Sequence, residues 1–346
     1  MSKDVPSFAG WLLPGREVSM TVLITGGAGY IGSHMVLDLL ARSETPVVLD
    51  DLSTGFEWLL PTTVPLIRGD MADQALIRKI IDDHNIDTIA HFAAKIVVPD
   101  SVSDPLGYYE SNTVKARSLI ESAVKNGLKN FIFSSTAAVY GEPDEMPVSE
   151  DTRPNPVSPY GRSKLMVEWM LEDARHAHGL QSMILRYFNV AGADPEARSG
   201  QATPRATHLI KTACEVASGK RASMSVFGSD YATRDGTCIR DYIHVSDLAA
   251  AHGLALDYLR AGNKGVMLNC AYGHGSTVDE VIDAVKRVSG VDFTVHRAPR
   301  RAGDPPEIVA TGGKIKSVLG FKPRYDDLDT IVKHALAFEK KLQSRS

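Results

Sequence analysis

The sequence predicts an α/β fold built on a doubly wound parallel sheet, followed by a smaller C-terminal α/β region. Three observations predict it. Short β-branched runs alternate with stretches of helical spacing from residue 21 onward. Several of those runs are almost continuously apolar, as strands covered on both faces must be. The texture then changes after Asn189, where 191–205 (AGADPEARSGQATPR) is rich in Gly, Pro and small polar residues and reads as a loop leading out of the sheet.

The elements follow in order. Six strands are expected at 21–25 (TVLIT), 47–50 (VVLD), 66–70 (LIRGD), 88–94 (TIAHFAA), 131–135 (FIFSS) and 183–189 (MILRYFN). Helices lie between them: Ile31, Met35 and Leu39 recur at i, i+4, i+8, Leu76, Ile80 and Ile81 share a stripe, and so do Leu119 and Ala123. Pro159 suits a helix start, and the pattern continues through Met166, Val167 and Met170. Beyond the loop come a helix near 206–219, a strand near 224–227, a short strand at 242–244 leading into a helix at 247–260, and a strand at 266–270. Thr277 and Glu280 have capping-box spacing at the head of a helix over 277–289. The expected division is an extension at 1–19, a nucleotide-binding unit at 20–190, and a substrate-binding unit at 191–346 with segments of about 240–270 returning to the first. Residues 1–19 lack the apolar h-region of a secretory signal and read as a flexible extension, with Met20 a candidate start.

Composition narrows the function. The 346 residues carry 38 Lys+Arg and 42 Asp+Glu, a formal charge of -4, which argues against nucleic acid as the main partner. No apolar run approaches membrane-spanning length. The three cysteines, Cys214, Cys238 and Cys270, are far apart and form no CxxC, so neither a disulfide framework nor a zinc site is expected, and a reducing cytoplasm is. No metal set has sensible spacing.

The first strand runs into Gly26-Gly27-Ala28-Gly29-Tyr30-Ile31-Gly32 and then a helix. Strand, glycine turn and helix N-terminus form an anion site, because backbone N–H groups point outward and the missing Cβ atoms let a diphosphate approach. The second strand ends in Asp50-Asp51, about twenty residues on. A carboxylate there accepts from a ribose and repels a 2′-phosphate, so NAD is expected rather than NADP. This is a Rossmann-type arrangement. Asp70, before Met71, is either an adenine acceptor or a helix N-cap.

Tyr160 and Lys164 form a YxxxK pair on one helix face. A free phenol, with a pKa of about 10, is a poor base at neutral pH. The neighbouring ammonium is expected to lower it. The fifth strand ends in Ser134-Ser135-Thr136, and strand ends of open α/β sheets are where ligands collect, which places Thr136 between Tyr160 and a substrate hydroxyl.

The tracts TGGAGYIGSH, HFAA, FIFSSTAAVYG, SPYGRSKLMVE, LRYFNVAGA, FGSDYATRDGTCIRDYIHVSDLA and APRRAGD follow one another in order. In them the chain resembles the UDP-glucose 4-epimerase family of extended short-chain dehydrogenases/reductases, from about Met20 to Leu342. The resemblance implies that Tyr160 takes the sugar 4-OH proton while hydride passes from C4 to NAD⁺, that the 4-keto sugar turns over, and that hydride returns to its opposite face. It implies cofactor contacts at Phe92, Ala93, Ala94, Asn112, Ser134, Tyr187 and Phe188. It implies substrate contacts at Asn189 and at His208 and Leu209, which replace part of the family's PNNL segment. Val226, Phe227 and Tyr242 are implied at the base, Arg240 and Arg301 at the diphosphate, and Asp304 at the ribose. The family's lysine two residues beyond HFAA is displaced: Lys95 follows immediately and Ile96 fills that slot. A homodimer through two helices per subunit is implied as well. The scaffold also hosts 4,6-dehydratases, which need an Asp-Glu pair where Ala137-Ala138 stand. UDP-xylose/UDP-arabinose and N-acetylhexosamine 4-epimerases stay open, the latter through Ile308, and so does a non-catalytic NAD-binding regulator, which need not keep Tyr160 and Lys164 together.

Overall fold

The computed structural model describes residues 20–203, 207–301 and 304–345; the expected extension at 1–19 lies outside them. Seven parallel strands form the central sheet: β1 (Thr21–Thr25), β2 (Thr45–Asp50), β3 (Leu66–Arg68), β4 (Ile86–His91), β5 (Asn130–Thr136), β6 (Gln181–Tyr187) and β7 (Met267–Cys270). Their order is β7-β6-β5-β4-β1-β2-β3. Strand order reverses between β1 and β4, so the crevice at their C-terminal ends is the natural ligand site.

The apolar runs are explained by what covers them. Val22, Ile24, Val48, Ile132 and Leu185 face one cluster, together with helices α1 (Tyr30–Ala41) and α6 (Val245–Arg260). Leu23, Leu49, Ile89, Phe131 and Phe133 face the other, with α2 (Gln74–His84), α3 (Lys115–Lys125) and α4 (Pro159–His178). Both faces are dry, and alternation of apolar with polar residues is therefore absent.

Local chemistry sets the helix ends. The Asp73 carboxylate caps α2 by accepting from Ala75 and Leu76 N–H, each at 3.0 Å. The alternative of Asp70 as the cap is thus corrected: Asp70 accepts from Ala72 N–H at 2.9 Å and pairs with Lys115 at 2.6 Å. Ser158 caps α4, with Pro159 in its first turn. The Thr277–Glu280 capping box is complete, with Glu280 N–H to Thr277 Oγ1 at 3.0 Å and Thr277 N–H to Glu280 Oε2 at 2.9 Å.

The second half contributes α5 (Leu209–Ala217), α7 (Val278–Ser289), α8 (Leu328–Gln343) and short paired strands. Ser223–Phe227 runs parallel to Thr294–Ala298, and Tyr242–His244 parallel to Asn189–Ala191. The expected strand 183–189 is therefore two, divided at Phe188, because Asn189 leaves the main sheet to pair with Tyr242. The strand expected at 66–70 ends at Arg68, where Gly69 and Asp70 turn toward α2. No helix among the described residues is long and apolar enough to cross a membrane. The three cysteines are buried and unbridged.

Candidate active site

The glycine turn closes against the start of the HFAA segment. Gly26 has φ +74°, and a Cβ there would stand 2.5 Å from the Ala93 backbone nitrogen. A Cβ on Gly32 would stand 2.3 Å from the Gly26 carbonyl oxygen. No larger residue fits either position without moving backbone. Gly29 is the N-cap of α1 and has no side chain to occupy the donors beyond it. Asp50 is buried, accepting from Ala28 N–H at 2.9 Å and Leu52 N–H at 2.8 Å, while Asp51 is exposed and accepts from Ser53 N–H at 2.8 Å. Burial raises the Asp50 carboxyl against these bonds. These residues fit a dinucleotide: a cradle free of Cβ atoms at a helix N-terminus, and a fixed carboxylate at the next strand end.

At the strand ends beside this turn, the Thr136 hydroxyl accepts from Ala138 N–H at 3.2 Å and neighbours the Tyr160 phenol. Burial pushes that phenol up to about 12, and the Thr136 hydroxyl acts the other way. The expected lowering by Lys164 is not what the side chains show. The Lys164 ammonium donates to the Ser134 carbonyl at 2.9 Å and lies 4.9 Å over the Phe133 ring. Burial pushes it down to about 7. The Ser134 hydroxyl is bonded to the Tyr187 phenol.

The expected cofactor contact Asn112 and the displaced Lys95 are both engaged in internal bonds. Asn112, in a π-turn over Glu110–Val114, accepts from Lys95 N–H at 2.8 Å and donates to the Lys95 carbonyl at 2.9 Å and Ser163 Oγ at 3.1 Å. The Lys95 ammonium pairs with Asp104 at 3.2 Å. Met71 is buried in the core beside β2; Phe92, Ala93, Ala94 and Phe188 are half-buried, Phe92 stacking 4.8 Å from the His252 ring.

A cavity of about 900 Å³ opens beside the glycine turn, reached by Tyr30, whose hydroxyl donates to the Gly192 carbonyl at 2.7 Å. Asn189, His208, Leu209, Val226, Phe227, Arg240, Tyr242, Arg301 and Asp304 all line it. Thr136, at the end of β5, and Tyr160, in the first turn of α4, do not belong to that lining. Arg240 pairs with Asp304 at 2.5 Å, and the Arg301 guanidinium lies 3.9 Å over the Phe227 ring. Guanidinium forks in a concave site suit a diphosphate.

Sequence reasoning missed several parts. Ile96–Pro99 and, from α8, Ala335, Phe338 and Glu339 also wall the cavity. Nothing local marks them, because they arrive by tertiary packing. Glu168, Arg186 and Asp241 carry buried polar bonds around the site. Glu168 alone had a readable signal, lying eight residues from Tyr160 and four from Lys164 on one helix face.

The model of the NAD dependent epimerase/dehydratase family matches residues 22–271. A UDP-glucose 4-epimerase of Azospirillum brasilense is 51% identical over 325 residues, spanning 94% of this chain and 93% of its own length. The crystal structure of UDP-glucose 4-epimerase from Brucella ovis in complex with NAD superposes with a TM-score of 0.90 at 41% identity, covering 92% of this chain and 98% of that one. That of the Bifidobacterium longum enzyme with NAD⁺ and UDP gives a TM-score of 0.87 at 34% identity, covering 93% and 98%. The chain belongs to the NAD dependent epimerase/dehydratase family and, within it, to the UDP-glucose 4-epimerase family.

Proposed function

We propose that the chain interconverts UDP-galactose and UDP-glucose by inverting C4 of the sugar, with NAD as its cofactor. The observation that carries this reading is that one chain holds both a Tyr160–Thr136 pair, where α4 meets the end of β5, and a separate diphosphate-sized cavity lined by Arg240 and Arg301. When bound, NAD supplies the hydride acceptor and, in reduced form, the donor that returns it, so the sugar passes through a 4-keto stage with no net redox change. The glycine turn and Asp50 hold the dinucleotide. Tyr160 Oη receives the proton of the 4-hydroxyl and gives it back, and Thr136 keeps that proton in a short hydrogen-bonded path. Arg240 and Arg301 grip the diphosphate, Val226, Phe227 and Tyr242 receive the base, and Asp304 and Asn189 receive ribose and phosphate oxygens. Anchoring only the nucleotide end leaves the sugar free to turn over between the two hydride steps. Lys164, whose ammonium donates to the Ser134 carbonyl, is the donor offered to the nicotinamide ribose.

Elimination of water across C5–C6 would need a further acid beside the Thr136 turn. The residues there are Ala137 and Ala138, at the start of a 3-10 turn. Residues 20–190 are the NAD unit in this reading, and 191–346 the substrate unit, with β7 returning. A homodimer belongs to this reading, with Trp169, 57% exposed on α4, open to contact with the second copy. A cytoplasmic location belongs to the same reading.

Incubation with UDP-galactose, followed by proton NMR of the sugar, tests the function. UDP-glucose is the expected product, and absence of C4 inversion would overturn the reading. Parallel incubations with UDP-xylose and UDP-GalNAc determine what Ile308, half-buried against the Ala137–Tyr140 cluster, admits.

Asp50→Ala tests the cofactor end. Loss of a charged acceptor is worth about 1.5–3 kcal/mol, or roughly ten- to a hundredfold in NAD affinity, and the preference over NADP should narrow. Calorimetric titration with both dinucleotides measures it. An unchanged affinity ratio would exclude Asp50 as the ribose acceptor.

A further inference from the structure

Helix α4 presents a third ionisable side chain on the face that carries Tyr160 and Lys164. Glu168 stands one turn beyond Lys164 and is buried, at 5% exposure. Its carboxylate accepts from Ser135 Oγ at 2.5 Å and from Arg186 Nε at 2.9 and 3.2 Å. Arg186 projects from β6, with its guanidinium 4.9 Å over the Tyr140 ring. Ser135 lies between Ser134, whose carbonyl receives the Lys164 ammonium, and Thr136, whose hydroxyl neighbours the Tyr160 phenol. One carboxylate therefore joins the catalytic helix to the strand end that completes the site.

The charges around Lys164 give Glu168 a second effect. On β5 the ammonium meets a carbonyl and the Phe133 ring, neither of them charged. On β4 it faces His91, which burial and Lys164 itself hold neutral, with its pKa down at about 3. On β6 lie the Arg186 cation and Tyr187, whose phenol burial keeps protonated. On its own helix lie Tyr160, one turn back, and Glu168, one turn on. Glu168, ion-paired to Arg186 and one helix turn from Lys164, places a negative charge on that face that opposes the removal of the Lys164 ammonium from water.

We propose that Glu168 is a positioning residue for the epimerase reaction: clamped by Arg186 and Ser135, it keeps Lys164 charged and fixes the β5 terminus that presents Thr136. This rests on the assignment of Tyr160 and Lys164 as the reacting pair. The sign follows directly. Removing the negative charge makes Lys164 lose its proton at lower pH, so the alkaline limb of kcat/KM moves down.

The test is the pH profile of Glu168→Gln, which keeps the shape and loses the charge. Between neutrality and pH 9 its kcat/KM should fall about threefold to tenfold relative to the parent, and the deficit should shrink as pH is lowered. A deficit equal at every pH, or a profile superimposable on the parent's, overturns the proposal. Glu168→Asp guards against a stability effect. It keeps the charge and should leave the alkaline limb in place whatever its folding cost; a limb displaced as far as in the Gln variant also overturns it. If Tyr160→Phe is inactive while the Glu168→Gln limb is unmoved, the positioning role fails alone. If Tyr160→Phe is active, the reading beneath it fails.

Discussion

Tyr160→Phe should lose about 10²–10⁴-fold in kcat, the usual contribution of a positioned acid–base group, while copurifying with its normal complement of NAD. The change removes one oxygen from a half-buried ring and leaves α4 with its Ser158 cap and Pro159 start. The cofactor cradle at Gly26, Gly29 and Gly32 lies on other elements and should be untouched. The Thr136 hydroxyl would keep its bond from Ala138 N–H, and an aliphatic hydroxyl is too weak a base to replace the phenol. NMR turnover together with NAD released on denaturation separates the two effects. Activity within tenfold of the parent would remove Tyr160 from the mechanism. Loss of NAD as well as turnover would show that the hydroxyl anchors the cofactor rather than moving a proton.

The largest stability effect is expected at Asp247, far from the reacting pair. Its buried carboxylate accepts from Tyr272 Oη at 2.6 Å and from the backbone N–H groups of Arg324, at 3.0 Å, and Tyr325, at 2.9 Å. Asp247→Ala strands the buried Tyr272 hydroxyl and leaves two part-buried backbone donors without their acceptor, and should cost on the order of 2–4 kcal/mol. A fall in the urea midpoint at unchanged slope would register it. Residues 324–325 lead into α8, which supplies Ala335, Phe338 and Glu339 to the cavity wall. In the fraction that stays folded, KM for the nucleotide sugar should therefore rise more than kcat falls. A midpoint shifted by less than about 1 kcal/mol would mean that Asp247 is dispensable as a tether.

The sheet and the glycine turn were legible because their signals are local. A strand buried on both faces has to be apolar throughout, and a turn that admits no Cβ has to carry glycine at fixed offsets. Tyr160 and Lys164 were legible because one helix turn brings them together. Arg240 and Arg301 were reached only through family likeness; their residue type and spacing alone read as surface ion pairs. What stayed hidden depends on distant chain segments meeting. Asp73 rather than Asp70 caps α2, since the boundary turns on two residues of loop. Lys95 turns outward to Asp104, and Asn112 is consumed by the Lys95 backbone. The direction of the Lys164 ammonium, toward a carbonyl rather than the phenol, is set by the end of β5, and no helical periodicity encodes it.

The position of β7 has a consequence for biosynthesis. It is hydrogen-bonded to β6, yet 83 residues separate Tyr187 from Cys270 only by way of the whole cavity-forming excursion. At about 5–20 residues per second a ribosome needs roughly 4–17 s to cover that interval. Until then the outer rim of β6 emerges with its amide groups unpaired, beside apolar residues that α6 has yet to cover. That rim is a template for intermolecular strand addition. Newly made chains stalled or truncated between those points should aggregate or recruit chaperones, whereas chains cut after β7 should stay dispersed.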